Sequence, residues 1–256
     1  AVYEPDPAMQ AESAKLVPGL RFAGSIADLL AMEEVNALLI ASPNFRHVDQ
    51  LEEIARLRAL PILVEKPLYT DPADAVRIAR LQADYPQIIW VAMEYRYMPP
   101  VAALLEQAET ATGGIRMLTI REHRFPFLEK VDDWNRFNVN TGGTLVEKCC
   151  HFFDLMRHIL RDEPVRVFAS GAQDVNHLDE RYDGNVPDII DNAFVMVDFA
   201  RGARAVLDLC MFAEGSQQQE DIYALGPAGK LEVALPRASI IWSPRDQSGP
   251  YEEAVA

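Results

Sequence analysis

In the stretch GGTLVEKCCHFFDLMRHIL, Gly142 to Leu160, a carboxylate, an imidazole and a second carboxylate follow one another as Glu147, His151 and Asp154. Spacings of four and three put such side chains on one face of a helix. An imidazole between two acids suits proton transfer, because histidine is the side chain whose ordinary charge change falls near neutral pH. Two plainer roles are open to the same residues. His151 could be a buried histidine hydrogen-bonded to Asp154, or it could join Glu147 and a cysteine at a metal. The metal reading lacks a third ligand at a usable spacing, and adjacent cysteines point about 100° apart on a helix, so no bound metal is expected.

The segments around this stretch must position it. Short apolar runs alternate with amphipathic ones through the first hundred residues. Ala1 to Glu4 reads as a strand end, and Asp6 to Leu16 as a helix with Pro7 in its first turn. Leu20 to Ala23 is a short strand, and Ser25 caps a helix through Met32. VNALLIASPN is a buried strand, Phe45 to Arg58 a helix, LPILVEKP a strand, Asp71 to Asp84 a helix and QIIWVAMEY a strand. Strand and helix in strict alternation predict a parallel sheet covered by helices. Ligands of such sheets bind beyond the carboxyl ends of the strands. Those ends carry Glu4, Ser42 to His47, Glu65 to Pro67 and Glu94 to Tyr97.

After Pro99-Pro100 one helix, Val101 to Glu109, leads into strand-rich sequence: GIRMLTIREHRF, PVRVFASGAQ, DNAFVMVDFA, ARAVLDLCMF, QEDIYALGPAG and KLEVAL. Arg201-Gly202 and Pro227 to Gly229 read as hairpin turns. The fold class is therefore α/β: a Rossmann-type parallel sheet, then an α+β domain with a large, mainly antiparallel open sheet and the Gly142 helix lying on it. The boundary falls near Arg96 to Pro100, giving domains of residues 1–97 and 98–256. The acidic EEA near the end of the sequence reads as a solvated tail.

Of 256 residues, 49% are hydrophobic, enough for a sizeable core. The formal charge of -15 argues against nucleic acid, whose binding starts from cations matched to phosphates. A small ligand or a protein partner is expected instead. Three cysteines with no C-x-x-C pair give neither a disulfide framework nor a zinc site. No run is long enough for a membrane span, and a reducing, cytoplasmic setting is expected.

Three stretches, IASPNFRH, VEKPL and GGTLVEKCCHFFDL, resemble in order and approximate spacing the Gfo/Idh/MocA family of sugar and polyol dehydrogenases. The resemblance covers nearly the whole sequence and implies an NAD(P)-binding Rossmann domain followed by a substrate-binding α/β domain. It further implies that the first strand and its G-x-G-x-x-G turn would precede Ala1, and that a final segment would follow Ala256. Glu4 stands where the family's acid accepts from the adenosine ribose, favouring NAD over NADP. Ser42, Pro43, Asn44 and His47 lie where the chain passes the cofactor, although Asn44 could serve as a helix cap and His47 as a solvated first-turn residue. Glu65, Lys66 and Pro67 hold the family's E-K-P position, where the lysine reaches the substrate hydroxyl near the nicotinamide and the proline is often cis.

By the same resemblance His151 is the acid/base, Glu147 contacts substrate and orients His151, and Lys66 polarises the hydroxyl. Gly142 and Gly143 would let the backbone approach the ligand. Asp154, Arg96 and Trp134 are expected around the substrate, with Asn135, Arg136, Asp188 and Asp191 as further polar neighbours. Three features depart from the pattern: Glu147 is one methylene longer than the usual aspartate, Lys148 adds a charge next to the pair, and Cys149 falls where the family usually has glycine. The implied activity is hydride transfer between NAD, or NADP, and a sugar, inositol or related polyol. The alternative is a non-catalytic sugar- or dinucleotide-binding protein of the same fold. An open sheet with strands such as NAFVMVDFA, apolar on both faces, points to a homo-oligomer, a dimer or tetramer.

Overall fold

The structure, a computed structural model, describes residues 1–255. By its internal packing the chain divides into two units, one ending at Ala92 and one beginning at Met93.

In the first unit three short parallel strands, β1 (Leu38–Ile40), β2 (Ile62–Val64) and β3 (Ile89–Val91), lie side by side in that order. Ile40 pairs with Val64, and Val64 with Val91. Two preceding helices, α1 (Pro7–Leu16) and α2 (Ile26–Leu30), start at Asp6 and Ser25, whose side chains accept from backbone N–H groups of their first turns. The crossovers are α3 (His47–Leu57) and α4 (Ala75–Asp84). Val48, Leu51 and Ile54 recur every third residue on α3 and are buried, and Leu51 and Ile54 share a core with Ile40, Ile62 and Val64. The two strands expected at Ala1–Glu4 and Leu20–Ala23 are reduced to one parallel bridge, Val2 with Phe22. Only Val2 N–H to Arg21 O and Ala23 N–H to Val2 O hold it, too little pairing for a ladder.

The second unit opens with α5 (Pro99–Thr112) and continues into β4 (Met117–His123), α6 (Asn138–Thr141), α7 (Thr144–Glu147) and α8 (Cys150–Leu160). Seven further strands follow: β5 (Pro164–Ala172), β6 (Asn192–Phe199), β7 (Arg204–Cys210), β8 (Glu220–Leu225), β9 (Gly229–Leu235), β10 (Ser239–Pro244) and β11 (Tyr251–Ala254). They form one open sheet in the order β11-β10-β9-β8-β4-β7-β6-β5, antiparallel except for the β4–β7 pair. The period of two sorts the faces. Leu118 and Ile120, Ala205, Leu207 and Leu209, and Ile222 and Ala224 line the inner one. Phe152, Leu155, Met156 and Ile159 of α8 join the same core. Burying a Leu, Ile or Phe of this kind contributes about 1.5–3 kcal/mol. Met117, Phe194 and Met196 point the other way and are exposed.

Two expectations change here. The EEA segment is an edge strand, with Ser239 paired to Ala254 and Trp242 stacked on Tyr251, although its side chains remain solvated as expected. The helix expected from Gly142 onward is interrupted at Lys148 and Cys149. Cys149 N–H reaches back five residues to Thr144 O, and Cys149 has ψ near -1°, so α8 restarts on a new course. Among the described residues, no helix is long and apolar enough to cross a membrane.

Candidate active site

In the first unit, parallel strands bring all the β1 and β2 carboxyl ends to one edge. Asn44 opens a single 3-10 turn, Asn44–Arg46, that runs directly into α3, and its side chain caps neither element. It is only 7% exposed, and its Nδ2 finds no hydrogen-bond partner among the described residues. A buried amide donor left in this state costs about 1–3 kcal/mol unless a ligand or water accepts from it. His47 is fully buried rather than solvated. Its Nδ1 lies 2.8 Å from Pro67 O and its Nε2 3.0 Å from Ser42 O, so the ring staples the Ser42–His47 loop to the Glu65–Pro67 loop. Ser42 Oγ donates to Gln50 Oε1 at 2.6 Å, and Lys66 N–H to Glu65 Oε2 at 3.3 Å. The Lys66–Pro67 peptide is cis. Glu4 accepts from Asp6 N–H at 2.9 Å through Oε1, which fixes its carboxylate at the mouth of α1.

In the second unit, Gly142 and Gly143 are both left-handed, with φ of 75° and 86°. A Cβ on Gly143 would come within 2.6 Å of Asn138 Oδ1, so the close approach this glycine permits is to Asn138. The turn delivers Glu147 at the end of α7 and His151 in the first turn of α8, both buried. His151, 2% exposed, has Nε2 3.4 Å from Glu94 Oε1, and its ring lies against Tyr95 with centroids 4.7 Å apart. Asp154 is engaged elsewhere than the imidazole. Both its oxygens accept from Arg96, at 2.7 Å from Nε and 2.5 Å from Nη2, a two-pronged ion pair that locks the Glu94–Tyr97 turn to α8.

Trp134 lies half-buried in the Val131–Arg136 segment, where Asp132 and Asp133 are both left-handed. Arg136 and Asn135 are buried, and Arg136 Nε donates to Glu180 Oε2 at 3.0 Å. Asp188 holds Asn138 N–H at 2.7 Å. Asp191 accepts from the backbone N–H groups of Asp174, Val175 and Asn176. Asp188 and Asp191 thus organise loops around the glycine turn.

Two buried acids, Glu122 and Glu220, escaped the sequence reading, and they gather with Tyr95 and Lys148. Lys148 turns inward at the break between α7 and α8, its Nζ 3.0 Å from Glu122 Oε1, 2.9 Å from Tyr95 Oη and 4.0 Å from Glu220 Oε1. Tyr95 Oη donates to Glu220 Oε1 at 2.6 Å. Burial pushes the Glu122 carboxyl up to about 7, against the lowering influence of Lys148. Burial, with Glu122 and Glu220 nearby, also pushes the Tyr95 phenol up. A signal for the acids was present. Glu122 shares the inward parity of Leu118 and Ile120, and Glu220 that of Ile222 and Ala224. Among the described residues, no three His, Cys, Asp or Glu side chains gather as a metal site.

A parallel sheet with crossover helices and a polar carboxyl edge, followed by an open sheet on which a helix carries a buried imidazole, is a Rossmann-type unit joined to an α/β unit. The chain belongs to the Gfo/Idh/MocA oxidoreductase family. Residues 1–93 match its "NAD-binding Rossmann fold" and residues 109–249 its "C-terminal alpha/beta domain". Among curated relatives, it is 31% identical over 170 residues to an inositol 2-dehydrogenase of Corynebacterium glutamicum (strain R), covering 65% of this chain and 48% of that protein. It is 26% identical over 185 residues to the uncharacterized oxidoreductase YrbE of Bacillus subtilis (strain 168), covering 71% and 50%. The chain spans about half the length of these relatives. A solved levoglucosan dehydrogenase, in complex with NADH and levoglucosan, superposes with a TM-score of 0.84 at 21% identity, covering 98% of this chain and 70% of that one. That likeness establishes the fold.

Proposed function

We propose that the chain serves an NAD-dependent dehydrogenase that moves a hydride between the nicotinamide and a hydroxyl-bearing carbon of a sugar, inositol or related polyol. The observation that carries the reading is His151, an almost fully buried imidazole set between the Glu94 carboxylate and the Tyr95 ring. It is an imidazole held in place within reach of a carboxylate, the arrangement of a general base with a group that orients it.

The first unit fits the cofactor. The partnerless Asn44 amide donor sits at the carboxyl edge of the sheet, where nucleotides bind. Glu4, with one oxygen fixed by Asp6 N–H, favours ribose hydroxyls over a 2'-phosphate. Ser42, Pro43, Glu65 and Pro67 complete this edge, with His47 tying its two loops together. Bound NAD would supply the hydride acceptor. As the hydride leaves carbon, the hydroxyl proton passes to the His151 imidazole, and the Lys66 ammonium donates a hydrogen bond to the oxygen that becomes a carbonyl. Glu147 and Arg96 orient the substrate, Asp154 fixes Arg96, and Trp134 offers a ring for the sugar face. Relatives named inositol 2-dehydrogenase support the substrate class. The exposed apolar residues on the outer sheet face support a homo-oligomer.

The test is NADH formation at 340 nm by the full-length natural protein over a panel of inositols, hexoses and related polyols. Turnover should fall at least a thousandfold in His151→Asn and Lys66→Ala while NADH affinity, read by fluorescence, stays within about twofold. If the protein binds NADH and sugars but turns over none of them, the non-catalytic reading replaces this one. Glu147, longer than the family's aspartate, is the residue that favours that second reading.

A further inference from the structure

Behind His151 lies a cluster of ionisable groups for which acid/base catalysis at the imidazole alone has no use. Glu122 of β4 is fully buried, and Lys148 and Glu220 nearly so. Lys148 Nζ stands at the centre, bonded to Glu122 and to the Tyr95 hydroxyl, with its charge 5.1 Å from the Tyr95 ring centroid and 5.4 Å from that of Phe152. Arg124 Nη1 approaches Glu122 Oε1 at 3.3 Å, and Gln219 Nε2 donates to Glu220 Oε1 at 2.8 Å. Glu122 Oε2 is different: it is buried and has no hydrogen-bond partner among the described residues. An ionised oxygen in that state is costly, so it is the place in the cluster where a proton can sit.

These groups reach His151 through the Tyr95 side chain. The Tyr95 hydroxyl is gripped by Lys148 on one side and Glu220 on the other, and the Tyr95 ring is the wall against which the imidazole rests. Turned toward Glu122 are Lys148 from the α7–α8 break, Arg124 from the end of β4, Glu220 from β8 and Tyr95 from the Glu94–Tyr97 turn. Glu94 and Tyr95 are among the groups turned toward His151.

We propose that Glu122, Lys148, Glu220 and Tyr95 are positioning residues for His151, and that the proton held or released at Glu122 Oε2 governs how readily His151 takes up its own. With Glu122 protonated, Lys148 and Arg124 outweigh Glu220, and the added positive charge keeps the imidazole neutral and able to accept a proton. With Glu122 ionised, the cluster balances and imidazolium is favoured. The inference rests on the acid/base reading of His151 and adds to it a source of regulation by pH.

The experiment follows the ring protons of His151 by NMR through a pH titration of the full-length protein, with the resonance assigned by His151→Asn. In the wild type the His151 shift should change in two steps, its own and a second near 7 reporting Glu122. Glu122→Gln should lose that second step and move the remaining one to lower pH. Lys148→Met should keep the second step and move it to higher pH, because Lys148 is the cation that opposes the burial of Glu122. Kinetically, Glu122→Gln, fixed in the state of the protonated acid, should remove the limb near neutrality from the kcat profile while substrate KM stays within twofold. A single-step His151 curve in the wild type, or curves that superpose in both variants, would overturn the proposal. A purely structural cluster would change melting temperatures and leave the His151 curve alone. Because the NMR reading needs no turnover, two-step behaviour in a protein without dehydrogenase activity would sink the functional reading and not the coupling.

Discussion

Asp191, which holds the segment 174–176, offers the cleanest test of how this unit holds its loops in place. Its carboxylate is 2% exposed. Oδ1 accepts from Asp174 N–H at 3.1 Å, and Oδ2 from Val175 and Asn176 N–H at 2.8 and 2.7 Å. Asp191→Asn preserves the shape but leaves one oxygen for three backbone donors. Keeping that oxygen on Val175 and Asn176 turns the new amide toward Asp174 N–H and Asn192 Nδ2, donor against donors, of which Asn192 keeps other acceptors in Ala172 O and Asp174 Oδ2. One stranded buried donor costs about 1–3 kcal/mol, and two bonds reduced from charged to neutral cost about 1 kcal/mol each. The sum is about 3 kcal/mol, taking the low end because the loop is partly solvated. For a unit of this size that corresponds to a fall in Tm of roughly 6–12 °C by scanning calorimetry.

The pH dependence of the Asp191 substitution supplies a second check. Burial raises the Asp191 carboxyl, but the bonds from Asn176, Asp174, Val175 and Asn192 outweigh it and the net shift is downward. A carboxyl lowered on folding stabilises the native state above its unfolded value of about 3.9, and that contribution is lost as the pH falls through the lower folded value. The gap between wild type and Asp191→Asn should therefore be full at pH 7 and close in acid. A Tm shift under about 2 °C at pH 7, or a gap unchanged between pH 7 and strongly acidic solution, would refute the reasoning.

Other substitutions probe the two sites separately. Glu180, whose partial burial is outweighed by bonds from His177, Tyr182 and Arg136, is held at about 2. Glu180→Gln should cost about 1 kcal/mol at pH 6 to 7, a contribution present above about 4.5 and lost as the pH falls through about 2, measured by urea denaturation at several pH values. Arg96→Lys cannot reproduce the fork on Asp154 and should raise the substrate KM several-fold while leaving the NADH affinity unchanged in fluorescence titration. Glu4→Ser should weaken NAD binding by about tenfold or more and narrow the preference over NADP, as read from paired binding isotherms.

Much of the architecture was readable because both halves obey simple periods. Val48, Leu51 and Ile54 face one way on a helix, Leu118 and Ile120 one way on a strand, and the turns at Arg201-Gly202 and Pro227 to Gly229 fall where β6 meets β7 and β8 meets β9. Where the reading failed, a local rule gave way to a contact distant in sequence. The spacing of Glu147, His151 and Asp154 assumes an unbroken helix. The break at Lys148–Cys149 arises because Lys148 has partners on β4, on β8 and in the Glu94–Tyr97 turn, none of them near it in sequence. Asp154 likewise belongs to Arg96, 58 positions away, which no helical wheel can show.

The same comparison shows what could have been read. A strand written Leu-Thr-Ile-Arg-Glu puts an acid on the face of its leucine and isoleucine, and Glu220 repeats the pattern with Ile222 and Ala224. Two carboxylates forced onto an apolar sheet face demand a cation, because unpaired buried charge is among the costliest features a fold can carry. The only lysine in the helical stretch above that sheet is Lys148, beside the proposed acid/base. The parity of two strands and the charge of one helix residue therefore imply the buried cluster together, although neither implies it alone. A feature that costly, placed against the ring of His151, is better explained by the control of a proton than by stability.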